Sequence, residues 1–219
     1  MAALTEVQSM IRDQAKTWIR EESPVEKFRQ MRDSGIDLRY VPETWSGMIE
    51  MGWTGIIIPE QYGGSGLGYL TFGLVLEEIG RHLTASPLFA SALVGASGIL
   101  LGGNEEQKQN LLPRIADGSA IITLAVDEGS RHDPYRIEME AKQSGSGFLL
   151  EGTKTFVQEG LAATDFIVPA KTKKGITLFV VPGNEKGISR EPIKTMDSRG
   201  YASLNFSNVQ IESTNVLGS

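Results

Sequence analysis

Between Thr5 and Leu112 apolar residues recur every three or four positions, the spacing of helices that each hide one face. Val7, Met10, Ile11, Ala15, Trp18 and Ile19 share such a face, with Thr5 and Gln8 as a capping box at the start and Ser23-Pro24 at the end. Val25, Phe28 and Met31 predict a short second helix stopping near Gly35, and Pro42 in a first turn opens a third that Gly52 closes. Phe72, Val75, Leu76 and Ile79 mark a helix over 69–81. Residues 87–101 are almost wholly apolar and predicted to be buried on most sides, and Asn104 with Gln107 caps a further helix.

After Gly118 the period drops to two, the signature of strands. AIITLAV is followed by Ile137, Met139 and Ala141 alternating with polar residues, then by FLLEGTKTF, DFIVPAK, ITLFVVP and ASLNFSNVQI. SGSG, KKG, GNEKG and DSRG supply the turns. We place the boundary at 117–119. The expected fold class is α+β, with an N-terminal all-α helical domain over 1–118 and a small antiparallel β-barrel or sandwich over 119–219.

An apolar fraction of 40% over 219 residues suits a globular protein. The net charge of −6, with both signs interspersed, argues against a nucleic-acid surface while leaving room for a local cationic patch. The absence of cysteine excludes disulfides, cysteine-held metals and thiol nucleophiles. Lacking a basic, apolar leader or a bilayer-length apolar run, the chain is expected to be unprocessed, cytoplasmic and off the membrane.

GxxxxGK, GxGxxG at a strand-to-helix turn, HExxH and GxSxG are all missing. Gly63, Gly64, Gly66 and Gly68 crowd IIIPEQYGGSGLG, read as a tight connection between helices rather than a ligand loop. Glu60, Glu77 and Glu78 are read as solvated, and His82, after Arg81, as a helix-end residue. The segment AVDEGSRHDPYR is different: Asp127, Glu128, Arg131, His132, Asp133 and Arg136 directly follow an apolar strand, as a solvated turn or a functional loop.

Over essentially its whole length the chain resembles the acyl-CoA dehydrogenase family. MGWTGIIIPEQYGGSGLG with LVLEEIGR, and NEEQKQNLLPRIADG, are similar to the family's helical domain. LEGTKTFVQEGLAATDFIV looks like GxKxFITNGxxAD, through Gly152, Lys154, Phe156, Val157, Gly160, Ala163 and Asp165, and FSNVQIESTNVLG resembles the end of the middle domain. The resemblance implies FAD, oxidation of an acyl-CoA to the 2,3-enoyl-CoA with hydride passing to the flavin, electron-transfer flavoprotein as acceptor, and a homo- or hetero-oligomer. It also implies a role in fatty acid or sterol catabolism.

It assigns Leu124, Val126 and Asp127, with Ala125 between them, to the pyrimidine edge of the flavin, Phe156 to packing on the isoalloxazine, and Gln158 to the vicinity of N5. Ser130, Arg131, His132 and Asp133 stand in the loop that would contact substrate. Asp127 and Gln158 occupy positions where the family carries hydroxyl residues, Glu159 one where it carries Asn, and of the loop EPxxGSD only the ends remain. The family continues into a four-helix domain that supplies the catalytic base, so no catalytic residue is assigned here. Alternatives are a catalytically degenerate subunit of a heteromeric dehydrogenase, such as those for sterol side-chain thioesters, and a flavin oxidase or monooxygenase of the same fold. With that domain missing, exposed apolar surface is expected to drive self-association.

Overall fold

A computed structural model describes residues 4–35 and 38–218. The readings that touch residues 1–3 and Ser219 lie outside the described residues. Six helices come first: α1 (Glu6–Glu22), α2 (Val25–Ser34), α3 (Pro42–Glu50), α4 (Gly68–Arg81), α5 (Ala96–Gly102) and α6 (Glu105–Ala116). The predicted capping boxes of α1 and α6 form, Pro42 sits in the first turn of α3, and Gly35 ends α2 in the left-handed conformation. Ala15 and Ile19 of α1 are buried as the pattern requires, whereas Val7 and Met10 at its start are exposed. Trp18 meets Trp53 edge to face, ring centres 5.1 Å apart.

Two features of the helical half take their form from close backbone packing. The glycine-rich loop folds back on its own entry, since a Cβ on Gly64 would lie 2.0 Å from the Ile58 carbonyl oxygen. Ser65, Gly66 and Leu67 there donate to Gly55, Ile58 and Ile56 carbonyls, which supports the reading as a tight connection. The apolar 87–101 segment is mostly buried, but Phe89 and Leu101 are exposed, and Phe89–Gly95 is a π-helix running into α5. Single π turns inside α-helices are frequent at functional sites. Here the turn lets Gly95 press against β1, where a Cβ would stand 2.1 Å from the Ile122 oxygen.

The second half holds β1 (Ile122–Leu124), β2 (Glu140–Ser144), β3 (Gly147–Val157), β4 (Asp165–Thr172), β5 (Gly175–Pro182), β6 (Ile188–Pro192) and β7 (Ala202–Ile211). They form one curled sheet in the order β1-β4-β2-β3-β7-β6, with β5 on β4. The sheet is mixed rather than wholly antiparallel. β1 and β2 both pair with β4 in parallel, because long connections carry the chain across before it turns back. The predicted AIITLAV strand shrinks to Ile122–Leu124. Ile137 and Met139 precede β2 instead of belonging to it, although their burial alternates as expected.

Helices and sheet share one continuous core, from Ala15 through Phe72 and Ile99 to Phe166 and Phe206. Arg114 of α6 reaches Asp165 at the start of β4, 3.1 Å away, joining the layers at the rim. Among the described residues no helix is long and apolar enough to cross a membrane.

Candidate functional site

The site begins with an extra residue. Opposite β7, Lys154 pairs with Leu204 and Val157 with Ala202, so three steps on β3 match two on its partner. Such a bulge bends the strand and re-aims a side chain. Phe156 takes a positive φ of 49° and turns outward, leaving its ring 48% exposed while Val157 stays buried. Glu159 also has positive φ, 53°, and the turn beyond it is closed by Arg190, whose guanidinium donates to the carbonyls of Gly160, Leu161, Ala163 and Gly183.

The chain leaving β1 runs beside this bulge. Thr123 Oγ1 donates to the Gln158 carbonyl at 2.9 Å, and Thr155 N donates to the Asp127 carbonyl at 2.6 Å. Beneath them Lys154, wholly buried, donates to the Val126 carbonyl and to the Glu128 carboxylate. Burial pulls the Lys154 ammonium below its ordinary range, against the opposing pull of Glu128 and Asp127. Glu128 also accepts from the backbone N–H groups of Glu138 and Met139, clasping the whole 128–138 loop at its base. Lys154 was visible in the sequence inside one motif and Glu128 at the end of another; their meeting was not.

A cavity of about 700 Å³ opens on this face, within the range of small-molecule sites. Leu124, Val126, Asp127, Phe156 and Gln158 all line it, so the five residues assigned to a cofactor converge. Of the four loop residues assigned to substrate, only His132 joins them; Ser130, Arg131 and Asp133 are exposed along the loop and do not line it. The remaining wall comes from Val94 on the π-helix, Thr123, and Thr195, Met196, Asp197 and Tyr201 of the segment before β7. Sequence reasoning missed these wall residues, the only signal being the MDSRG turn.

That segment is fastened to the helical layer by Arg199, which donates to the Thr84 carbonyl at 2.9 Å. Under it lies Glu159, 1% exposed, whose Oε2 has no hydrogen-bond partner. Burial drives its pKa up to about 8, eased by Arg199 and reinforced by Asp197. Burial likewise raises Tyr40 and Tyr201.

The cavity fits a planar ring system: the outward Phe156 ring offers a stacking face, with Leu124, Val126 and Val94 as apolar neighbours. Its acidic lining is Asp127 and Asp197, with His132 beside them. A second groove, about 1300 Å³, lined by Lys142, Lys171, Lys173 and Lys174 with Leu111 and Phe148, contains none of the residues assigned to cofactor or substrate from the sequence, so the site is placed at the smaller cavity.

Residues 5–119 match the family profile described as acyl-CoA dehydrogenase, N-terminal domain, and residues 123–214 that described as acyl-CoA dehydrogenase, middle domain. The chain is 31% identical to mitochondrial isovaleryl-CoA dehydrogenase of Pongo abelii over 98% of its own length and 53% of the relative's. It is 31% identical to acyl-CoA dehydrogenase FadE27 of Mycobacterium tuberculosis over 80% of its length and 46% of the relative's. Among solved structures, the ChsE4-ChsE5 complex of Mycobacterium tuberculosis superposes with a TM-score of 0.90 at 26% identity, covering 100% of this chain and 59% of that one. The chain thus spans about half the length of these curated relatives, 53% and 46%.

Proposed function

This chain belongs to the acyl-CoA dehydrogenase family, and on that premise we propose that the cavity beside Phe156 holds the isoalloxazine of FAD in a protein that oxidises an acyl-CoA thioester to the enoyl-CoA. The observation that carries this reading is the convergence of Leu124, Val126, Asp127, Phe156 and Gln158 on one cavity, residues separated in sequence by up to a loop and the two strands β2 and β3. FAD, when bound, supplies the hydride acceptor.

The chain's own residues orient and exclude. Phe156 stacks on one face of the ring. Leu124, Val126 and Val94 keep water from its edge, and the Lys154–Glu128 pair holds the neighbouring backbone in place. A catalytic base comes from segments beyond this chain's counterpart in its relatives, and electron-transfer flavoprotein takes the electrons.

A second reading rests on the two carboxylates in the lining. Asp127 and Asp197 disfavour the negative charge that a flavin gathers on reduction. The same fold can therefore serve as a subunit that binds flavin weakly and completes an active, related partner in a hetero-oligomer.

Expression at natural length, followed by visible spectroscopy and size-exclusion chromatography, tests both. The first reading requires copurifying FAD, and Phe156→Ala then weakens FAD binding by roughly 2- to 10-fold, the weight of one aromatic stacking contact. A protein that stays colourless with added FAD, alone and in a mixed oligomer, sinks the flavin reading. Colour gained only on pairing with a homologue selects the second.

A further inference from the structure

The carboxylate of Asp127 accepts from the His132 ring at Nδ1, 2.9 Å to one oxygen and 3.1 Å to the other. The Asp127 side chain is 20% exposed and that of His132 is 71% exposed, so the aspartate is the fixed partner and the imidazole the presented one. Asp133 adds its backbone N–H to Asp127 at 3.4 Å, holding the loop that carries the histidine around the same carboxylate. The other histidine, His82, belongs to the end of α4, where Nδ1 lies 3.2 Å from the Glu78 carbonyl.

A carboxylate can only accept, so the ring hydrogen in this contact sits on Nδ1. In the neutral ring that leaves Nε2 with its lone pair exposed, the logic by which an aspartate fixes a histidine's tautomer in acyl-transfer enzymes. Two hydroxyls of the lining also turn their oxygens, not their hydrogens, toward the space. Thr123 spends its hydroxyl hydrogen on the Gln158 carbonyl, and Thr195 spends its own on Asp197. Beside this pair a ligand edge made only of carbonyl oxygens would meet lone pairs, whereas an N–H would find an acceptor.

We propose that the Asp127–His132 pair is the specificity element of the cavity, with Asp127 orienting the imidazole so that Nε2 accepts a hydrogen bond from the ring N–H of a planar, imide-bearing heterocycle. This deepens the flavin reading and rests on it. It also accounts for an aspartate where the family carries a hydroxyl: the carboxylate faces the histidine rather than the ligand, and the histidine makes the contact.

The test is long-range ¹H–¹⁵N correlation spectroscopy of the imidazoles in the natural-length protein at neutral pH, the His132 signals being those lost in His132→Phe, with FAD as the probe. His132 is expected as the Nδ1–H tautomer, with its Nε2 resonance shifting when FAD is added. Asp127→Asn, whose amide can donate to Nδ1, moves the hydrogen to Nε2. His132→Phe, at a largely exposed position, removes the acceptor. Each variant weakens FAD binding roughly 2- to 10-fold, as for one hydrogen bond.

An imidazolium or an Nε2–H tautomer in the parent, or unchanged FAD affinity in both variants, overturns the assignment. If Phe156→Ala weakens binding while His132→Phe does not, the flavin reading stands and the pair's role falls. If the parent binds no FAD, both fall.

Discussion

The Lys154 ammonium and the Glu128 carboxylate meet at 2.5 Å, the lysine side chain fully buried and the glutamate 12% exposed, beneath the backbone that walls the cavity. Removing one partner of such a pair leaves the other charge buried and costs about 3–5 kcal/mol. Lys154→Met is expected to lower the urea midpoint accordingly. Glu128→Gln is expected to speed amide exchange at Glu138 and Met139, whose N–H groups it accepts. Exchange at those two amides no faster than in the parent would show that the clasp is not what orders the loop.

Glu159 makes stability depend on pH. Its pKa rises from 4.5 in the open chain to about 8 in the fold, chiefly through burial. The unfolded chain therefore loses this proton first. The stabilising contribution of the protonated form is complete below the unfolded value and is lost as pH climbs through the folded one, at up to about 1.4 kcal/mol per pH unit. Urea midpoints across that window should fall in the parent and stay flatter in Glu159→Gln. Parallel profiles for the two proteins would remove Glu159 as the cause.

Gly95 sets how closely the π-helix approaches β1. A methyl group there would stand 2.1 Å from the Ile122 oxygen, a backbone atom that cannot swing aside. Gly95→Ala is expected to cost about 1–3 kcal/mol by overpacking, or more if β1 shifts. Because Val94 beside it lines the cavity, FAD retention should fall with stability. A variant with the parent's thermal midpoint would show that the two elements separate easily.

Gln107 ties α6 to the last described turn of the chain. Its side chain donates to the carbonyls of Thr214 and Val216 and accepts from Gly218 N. Gln107→Ala removes these three hydrogen bonds, at about 1–3 kcal/mol in all. Protease susceptibility after residue 212 should rise before global stability falls; equal cleavage rates in variant and parent would argue against the tie.

Local pattern determined the helices and their caps, because a capping box, a first-turn proline or a left-handed glycine is a contact within a few residues. Thr5 with Gln8 and Asn104 with Gln107 needed no tertiary help. At Ile137, Met139 and Ala141 strand alternation likewise predicted burial, whereas β4 is buried at every position from Asp165 to Ala170; the ordered motifs carried the family and pointed to five of the residues that line the cavity.

What only tertiary structure decided is whatever depends on chains meeting from afar. Parallel pairing of β1 with β4 follows from a crossover that no two-residue period encodes. The π turn at Phe89–Gly95 brings Gly95 against Ile122, a contact between elements far apart in the chain. The bulge that turns Phe156 outward is a mismatch between two strands, invisible in either alone. Asp127, read from sequence as an anion facing the ligand, is engaged by His132 once the loop closes on Glu128, because a charge is defined by its partner as much as by its position.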